Sequence, residues 1–451
     1  MAEPIGRVPS GQPQVQSAAR GTEDGDFETI HDRLDSAAFN NLRNSPYYAD
    51  TVYPRFSPGE YDRRLRLTRE KMARLGLDCL IVGTAPTLQS YGGPVQWLTG
   101  HRDWHSLVVY VVVPLEGEPT LIYPMGGTHT EATRRAVAVR DVRSSRLGRF
   151  MEVTAERIHE LGLASGRIGL PYVDSQTTNY LPINQYRALR DGLPDATLVR
   201  VGDFFHELLY LKSPEEQAYV WRAGELCARA IEAMVEAARP GVAEYELKAA
   251  AAFAIMDGGG SVDFIILGSC PMDDPALVFG NIRPSRRRLQ EGDIIINELA
   301  VDFEGYQAQI GVPICVGEPT AQVRRMFDEV TLPAFERMAA ELRPGRTLRE
   351  VWEAGRFIRA AGYQSRPLHL HAIDLATHTP HIGTRVPGEP GAHAEDYELV
   401  LKPGMELMLE PNPITLDGLL GLFLGHTFLV TESGHACVTG RLPLELLVAR
   451  G

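Results

Sequence analysis

Two glutamates sit among apolar neighbours. Glu298 lies inside IIINELAV (294–301), and Glu410 lies inside MELMLEP (405–411). A carboxylate in such a run loses its hydration on folding. It therefore marks either a solvated sheet edge or a group held for chemistry. Histidine is concentrated in the same half of the chain. Of 13 histidines, six fall within 369–426: His369, His371, His378, His381, His393 and His426. The stretch HLHAIDLATHTPHIG alone holds four of them. One histidine on an apolar face is ordinary core. Four so close together, beside two acids in apolar runs, are better read as a site. The chemistry would be acid–base: neighbouring carboxylates split their pKa values into one acid and one base, and an imidazole titrating near neutrality relays the proton.

Two hairpins must position these acids. In the first, 294–301 leads through Asp302-Phe303-Glu304-Gly305 into YQAQIGVPI. A turn centred between Phe303 and Glu304 predicts Glu298 directly opposite Gln309, on one face of the ladder. In the second, 405–411 returns through Asp417-Gly418, a favoured two-residue turn, into 420–430. That register predicts Glu410 opposite Gly425. Ser213-Pro214-Glu215-Glu216 is a helix start, with a capping Ser, Pro at the first position and acids in the first turn. The helix is expected to run to about 238, with further long helices over about 321–342 and 348–361.

Upstream, the spacing predicts a helix over 61–75 stopped by Gly76. Strands are expected at 79–82, 107–113, 120–123, 167–170 and 197–201, and helices near 153–161 and 184–193. Strands alternating with helices imply an α/β domain with a parallel or mixed sheet. The expected division is a polar, flexible arm over 1–45, an N-terminal domain over 46–210 and a C-terminal domain over 211–451.

Composition narrows the function. The chain has 451 residues, 44% hydrophobic and 23% charged, with a net charge of −13. Such an acidic balance argues against a general nucleic-acid binder. No apolar run reaches 18 residues and the N-terminus has no apolar core of a secretory signal, so neither a membrane span nor export is expected. Five widely spaced cysteines with no CxxC pair point to a reducing, cytoplasmic setting. Cys270, in LGSCPMDDP, is a candidate nucleophile, although a small buried Cys is the commoner role. Trp97, His101, Arg102, Trp104 and His105 form an aromatic and basic cluster.

Taken together these residues resemble the methionine aminopeptidase, aminopeptidase P and creatinase family over roughly 60–440. The resemblance rests on the two hairpins, the HLHAIDLATH stretch, LKSPEE at the domain junction, and YDRRL…LGLDCLIV and WLTGHRD in the N-terminal part. It implies a two-domain α/β fold, with a creatinase-type N-terminal domain and a C-terminal α+β domain of the "pita-bread" type. It also implies a dinuclear metal site made of two Asp, one His and two Glu. Carried over, those positions fall on Glu298, Gln309, His371, Glu410 and Gly425, with a helper His at His378. A further family His falls on Asn281. A metal pair needs several anionic oxygens, and here each hairpin keeps one acid and loses its partner.

The expectation that follows is a metal-independent hydrolase without cofactor, cleaving a C–N bond in a small polar nitrogen-containing molecule. Glu298, His371, His378 and Glu410 would be catalytic. Asn281, Gln309, Tyr306, Trp97, Arg102 and Cys270 would contact substrate. The alternative is an Xaa-Pro-peptidase-like hydrolase or lyase with one divalent ion on Glu298, His371 and Glu410. A non-catalytic binding module is a third reading. By resemblance the chain is a homodimer in which the 97–105 cluster reaches the partner's pocket, Arg102 meeting a substrate carboxylate.

Overall fold

Aliphatic and β-branched runs build the first of two large sheets. Its strands are β1 (Cys79–Gly83), β2 (Tyr110–Pro114), β3 (Thr120–Tyr123), β4 (Asp141–Ser144), β5 (Arg167–Leu170) and β6 (Thr197–Arg200), in the order β4-β3-β2-β1-β5-β6. β2 is antiparallel to both β1 and β3, and the other pairs are parallel, so the sheet is mixed. The computed structural model describes residues 56–84, 93–102, 107–172, 181–366, 368–373, 380–390 and 392–449. All lie in one compact unit, Tyr53–Gly451. The expected arm over 1–45 falls outside the described residues.

Helix α1 (Pro58–Arg74) begins at Ser57, whose Oγ accepts from the Glu60 N–H, and ends before Gly76 at φ 63°. A short helix α2 (Gly93–Thr99) follows β1. The predicted strand over 107–113 is shorter in the structure and starts at Tyr110.

The second sheet carries β7 (Ser261–Pro271), β8 (Asp293–Phe303), β9 (Tyr306–Gly311) and β10 (Ile314–Val316). It continues with β12 (Leu368–Ala372), β13 (His381–Gly383), β14 (Glu406–Leu409), β16 (Gly425–Val430), β17 (His435–Cys437) and β18 (Leu447–Ala449). A separate two-stranded pair joins β11 (Gln364–Ser365) to β15 (Pro413–Ile414). The main order is β13-β12-β14-β16-β9-β8-β10-β18, with β7 on β8 and β17 on β16. Helices α3 (Pro214–Ala237) and α4 (Glu244–Asp257) pack on this sheet.

The capping box at α3 is present: the Glu216 N–H donates to Ser213 Oγ at 3.2 Å, and the Ser213 N–H donates to Glu216 Oε2 at 2.7 Å. Helix α4 was not anticipated. Its run of alanines has no polar face, so it gives no 3.6-residue period to read. The helix expected over 321–342 is interrupted. Ala321–Met326 passes through a wider π turn, Phe327–Thr331, into Leu332–Ala339. Pro333 has no N–H to give to the preceding turn, and the wider turn accommodates it.

One buried carboxylate joins the two sheets. Glu216 accepts from the Trp97 indole N–H at 2.9 Å and the Tyr306 hydroxyl at 3.1 Å. Arg64 Nη2 and Arg63 Nη2 each lie 3.2 Å from it. Four donors on α1, α2 and β9 thus converge on the first turn of α3, and their charge offsets the cost of burying the acid.

Candidate functional site

The first hairpin turns one residue later than predicted, which shifts the pairing across it by two. Glu304 and Gly305 form its corner, at φ 56° and 91°, which matches a type I′ turn. Phe303 pairs Tyr306 and Ala300 pairs Gln309. Continuing the ladder sets Glu298 beside Gly311, not Gln309. A slip of two keeps the alternation of faces, so Glu298 and Gln309 remain diagonal neighbours on one face. The second hairpin has the predicted register. Leu409 pairs His426, and the next step sets Glu410 opposite Gly425. Its turn includes Gly418 at φ 74°.

β12 lies between β13 and β14, so His371 pairs His381 on one side and Met408 on the other. The Glu410 N–H donates to the His369 carbonyl at 2.8 Å, which ties the end of β14 to β12. His371 Nε2 consequently stands 3.8 Å from Glu410 Oε1. His371 Nδ1 lies 2.9 Å from the Ala372 carbonyl, an acceptor, so the ring proton sits on Nδ1 and the Nε2 lone pair is directed to the Glu410 side. His378 lies outside the described residues.

Glu298 and Glu410 are both buried. Burial raises the pKa of Glu298, opposed by the positive charge of Arg366. Burial and the neighbouring Glu298 charge raise that of Glu410, again opposed by Arg366. The two acids titrate as a pair, and burial favours the protonated form of each. Gln309 is anchored through its N–H to Thr427 Oγ1 at 2.8 Å, while its buried Oε1 has no hydrogen-bond partner among the described residues.

Other candidates lie elsewhere. Trp97 and Tyr306 are buried on Glu216, because an indole N–H or phenol taken from water needs an acceptor, and Glu216 supplies it. Arg102 pairs with Glu304 and lies 3.6 Å from Asp302, both of its own chain, so it braces the β8–β9 turn. The reading of Trp97 and Tyr306 as substrate contacts is therefore corrected. Trp104 and His105 lie outside the described residues. Cys270 pairs Ile294, four residues along β7 from Ile266, the partner of Glu298. Burial pushes its thiol up, away from the nucleophilic thiolate, so Cys270 is a packing residue. Asn281 is exposed, and its backbone pairs both ways with Leu267 at 3.0 Å, beside the Glu298 position.

Three side chains missed in the sequence complete the wall. The Arg366 guanidinium stacks 3.5 Å above the Phe279 ring, and Phe279 packs edge-on to Phe423 at 5.3 Å. The Phe423 ring covers Gly311 and Gly425. A Cβ on Gly425 would stand 2.5 Å from Met408 Cε and 2.9 Å from Phe423 Cε1. The only sequence signal for this was the paired absence of side chains at two positions facing each other across β9 and β16.

The donor set bears on how many ions could be held. At Gly425 there is no ligand, and the space one would use is filled by Met408 and Phe423. Gln309 offers a neutral oxygen. Two ions do not fit. One does: Glu298 and Glu410 supply two anions that repel each other, and His371 supplies an imidazole nitrogen on the same side. Among the described residues no three His, Cys, Asp or Glu already converge on one point.

Comparison with known proteins agrees with this architecture. Residues 218–432 match the model of metallopeptidase family M24, and residues 64–208 match the creatinase/prolidase N-terminal domain. The probable dipeptidase PepE of Mycobacterium tuberculosis strain H37Rv is 28% identical over 402 residues, covering 87% of this chain and 98% of that protein. The crystal structure of dipeptidase PepE from Mycobacterium ulcerans aligns with TM-score 0.68 at 25% identity, covering 88% of this chain and 100% of that one. A Xaa-Pro dipeptidase from Bacillus anthracis aligns with TM-score 0.69 at 22% identity, over 86% of this chain and 99% of that one. The match to a metallopeptidase family overturns the metal-independent, cofactor-free expectation. That expectation took the loss of two ligands as loss of every ion, whereas the three donors kept are chemically enough for one.

Proposed function

Because the chain belongs to metallopeptidase family M24, with a creatinase-type N-terminal domain and a pita-bread C-terminal domain, we propose that it is a single-ion hydrolase of the peptide bond in dipeptides of the Xaa-Pro kind. The observation that carries the reading is the buried Glu298–Glu410 pair beside His371, with the fifth ligand position closed by Met408 and Phe423.

Glu298, His371 and Glu410 would hold one divalent ion, which when bound supplies Lewis-acid polarisation of the scissile carbonyl. The remaining work falls to the chain. The apolar neighbours of both glutamates keep bulk water away and strengthen every charge interaction inside. A carboxylate oxygen of Glu298 or Glu410 left free by the ion would accept a proton from the attacking water and return it to the leaving nitrogen. The His371–Ala372 hydrogen bond holds the imidazole in one tautomer while this happens. Gln309 Oε1 is an acceptor suited to the substrate's amino group, and Asn281 lies at the exposed border of the same wall.

Elemental analysis of the purified protein, with turnover of Xaa-Pro dipeptides before and after chelation, tests the reading. The expected result is about one ion per chain and activity lost in chelator and restored by manganese or zinc. Activity that survives complete removal of metal, or two ions per chain, would sink it.

The finer organisation is also proposed. The division near 210 is supported by the two sheets drawing on residues to either side of it. The homodimer is supported by the family resemblance. A cytoplasmic setting is supported by five cysteines that are all free thiols; no helix among the described residues is long and apolar enough to cross a membrane.

A further inference from the structure

A single ion leaves the site one cation short of the pair its family uses, and the wall holds a cation of its own. Arg366 follows β11, and its N–H donates to the Asn412 carbonyl at 3.2 Å, two residues beyond Glu410. Its guanidinium lies 3.5 Å over Phe279. Its Nη1 is buried with no hydrogen-bond partner among the described residues. Its positive charge works on both Glu298 and Glu410, against the burial that raises their pKa values.

A buried guanidinium N–H without a partner is costly unless anions answer its charge, and two buried carboxylates are costly unless cations answer them. The aromatic path explains how the charge is placed. Phe423 fills the space above Gly311 and Gly425, Phe279 packs against Phe423, and Arg366 lies on Phe279. The rings that close the second ion position therefore also support the guanidinium.

We propose that Arg366 is the resident second cation of this site: a fixed positive charge that stands in for one metal ion, balances Glu298 and Glu410, and limits the chain to a single divalent ion. The proposal rests on the single-ion reading above and adds an electrostatic reason to the missing ligand at Gly425. Arg366 is a positioning residue for charge. It competes electrostatically with the ion it accompanies, so its removal must tighten ion binding.

Manganese binding to the full-length protein, measured by titration calorimetry on chelator-treated samples, tests this with Arg366→Met and Arg366→Lys. Melting curves of each establish folding. Arg366→Met should bind manganese at least about ten-fold more tightly than the wild type, because a like charge has been removed from the ion's surroundings. Arg366→Lys keeps the charge and should bind as the wild type does. Arg366→Met binding no more tightly than the wild type overturns the proposal while leaving the single-ion reading intact. So does Arg366→Lys binding as tightly as the Met variant. A wild type that binds nothing, beside a Met variant that binds one ion, supports Arg366 as resident cation and sinks the single-ion reading of the native chain. No binding by any of the three overturns both. A Met variant that does not fold leaves Arg366→Gln, for which the same tightening is expected and the same failure decides.

Discussion

At the scale of single residues, the site depends on what is absent at 425 as much as on what is present at 298, 371 and 410. Glycine there allows the Phe423 ring and the Met408 methyl to close over β16. Restoring a family-like acid with Gly425→Glu should not restore a second ion site. Its Cβ would meet Met408 Cε at 2.5 Å and the Phe423 ring at 2.9 Å, so both side chains must move. Overpacking of this kind costs roughly 1–3 kcal/mol. The expected outcome is a lowered melting temperature, with manganese stoichiometry still near one. A variant as stable as the wild type that binds two ions would show that the space was available. Gln309 is different: its amide is already buried on the correct face, and only its charge is missing.

Between elements, the β7–β8 ladder carries a bulge that the sequence did not announce. Its register shifts between Val262 and Phe264, and the extra residue is Asp263. A bulge re-aims a side chain, and here it sets Asp263 against Asp302 of β8. Burial and that neighbour push Asp263 up to about 7. Burial also pushes Asp302 up to about 7, opposed by the Gly305 N–H and Arg102. Both groups bind protons more tightly when folded than when unfolded. Stability is therefore fully present below about pH 4, the unfolded aspartate value, and falls as pH rises through about 7. The loss should be several kcal/mol for the pair, since each value, about 7, lies well above the unfolded one, about 4. Melting curves from pH 4.5 to 8 should show the decline, and Asp263→Asn should flatten it. A slope unchanged by Asp263→Asn would rule the pair out as its source. Arg102 belongs to this cluster and braces the turn that fixes the register of Glu298.

For the molecule as a whole, the Glu216 cluster decides how the two sheets are joined. Arg63, Arg64, Trp97 and Tyr306 all converge on it from elements distant in sequence. Trp97 is thereby committed to its own chain, and the composite-site argument for a dimer loses it. The proposed homodimer predicts a mass near twice 49.8 kDa by light scattering at micromolar concentration. A mass near 49.8 kDa would count against it.

Much of this protein could be read from local pattern. Short-range physics is written in short stretches: Ser213 to Glu216 spell a capping box, Asp417-Gly418 spells a turn, and runs such as CLIVG and YVVVP spell buried strands. Glu298, His371 and Glu410 were legible because a polar group in an apolar run stands out wherever the fold later puts it. What the pattern could not carry was decided by contacts between distant segments. The turn was displaced by one residue, and the register by two, because Glu304 and Gly305 take the positive φ rather than Phe303 and Glu304. Trp97 and Tyr306 looked like site residues because aromatic side chains serve binding and burial equally well, and only the position of Glu216 distinguishes the two uses. Arg366, Phe279 and Phe423 carried no local signal at all. They meet beside the two glutamates because β11 pairs with β15, and Phe279 and Phe423 pack on the same wall from two other segments. Pairing over such sequence separation is a property of the folded chain, and no window of neighbouring residues contains it.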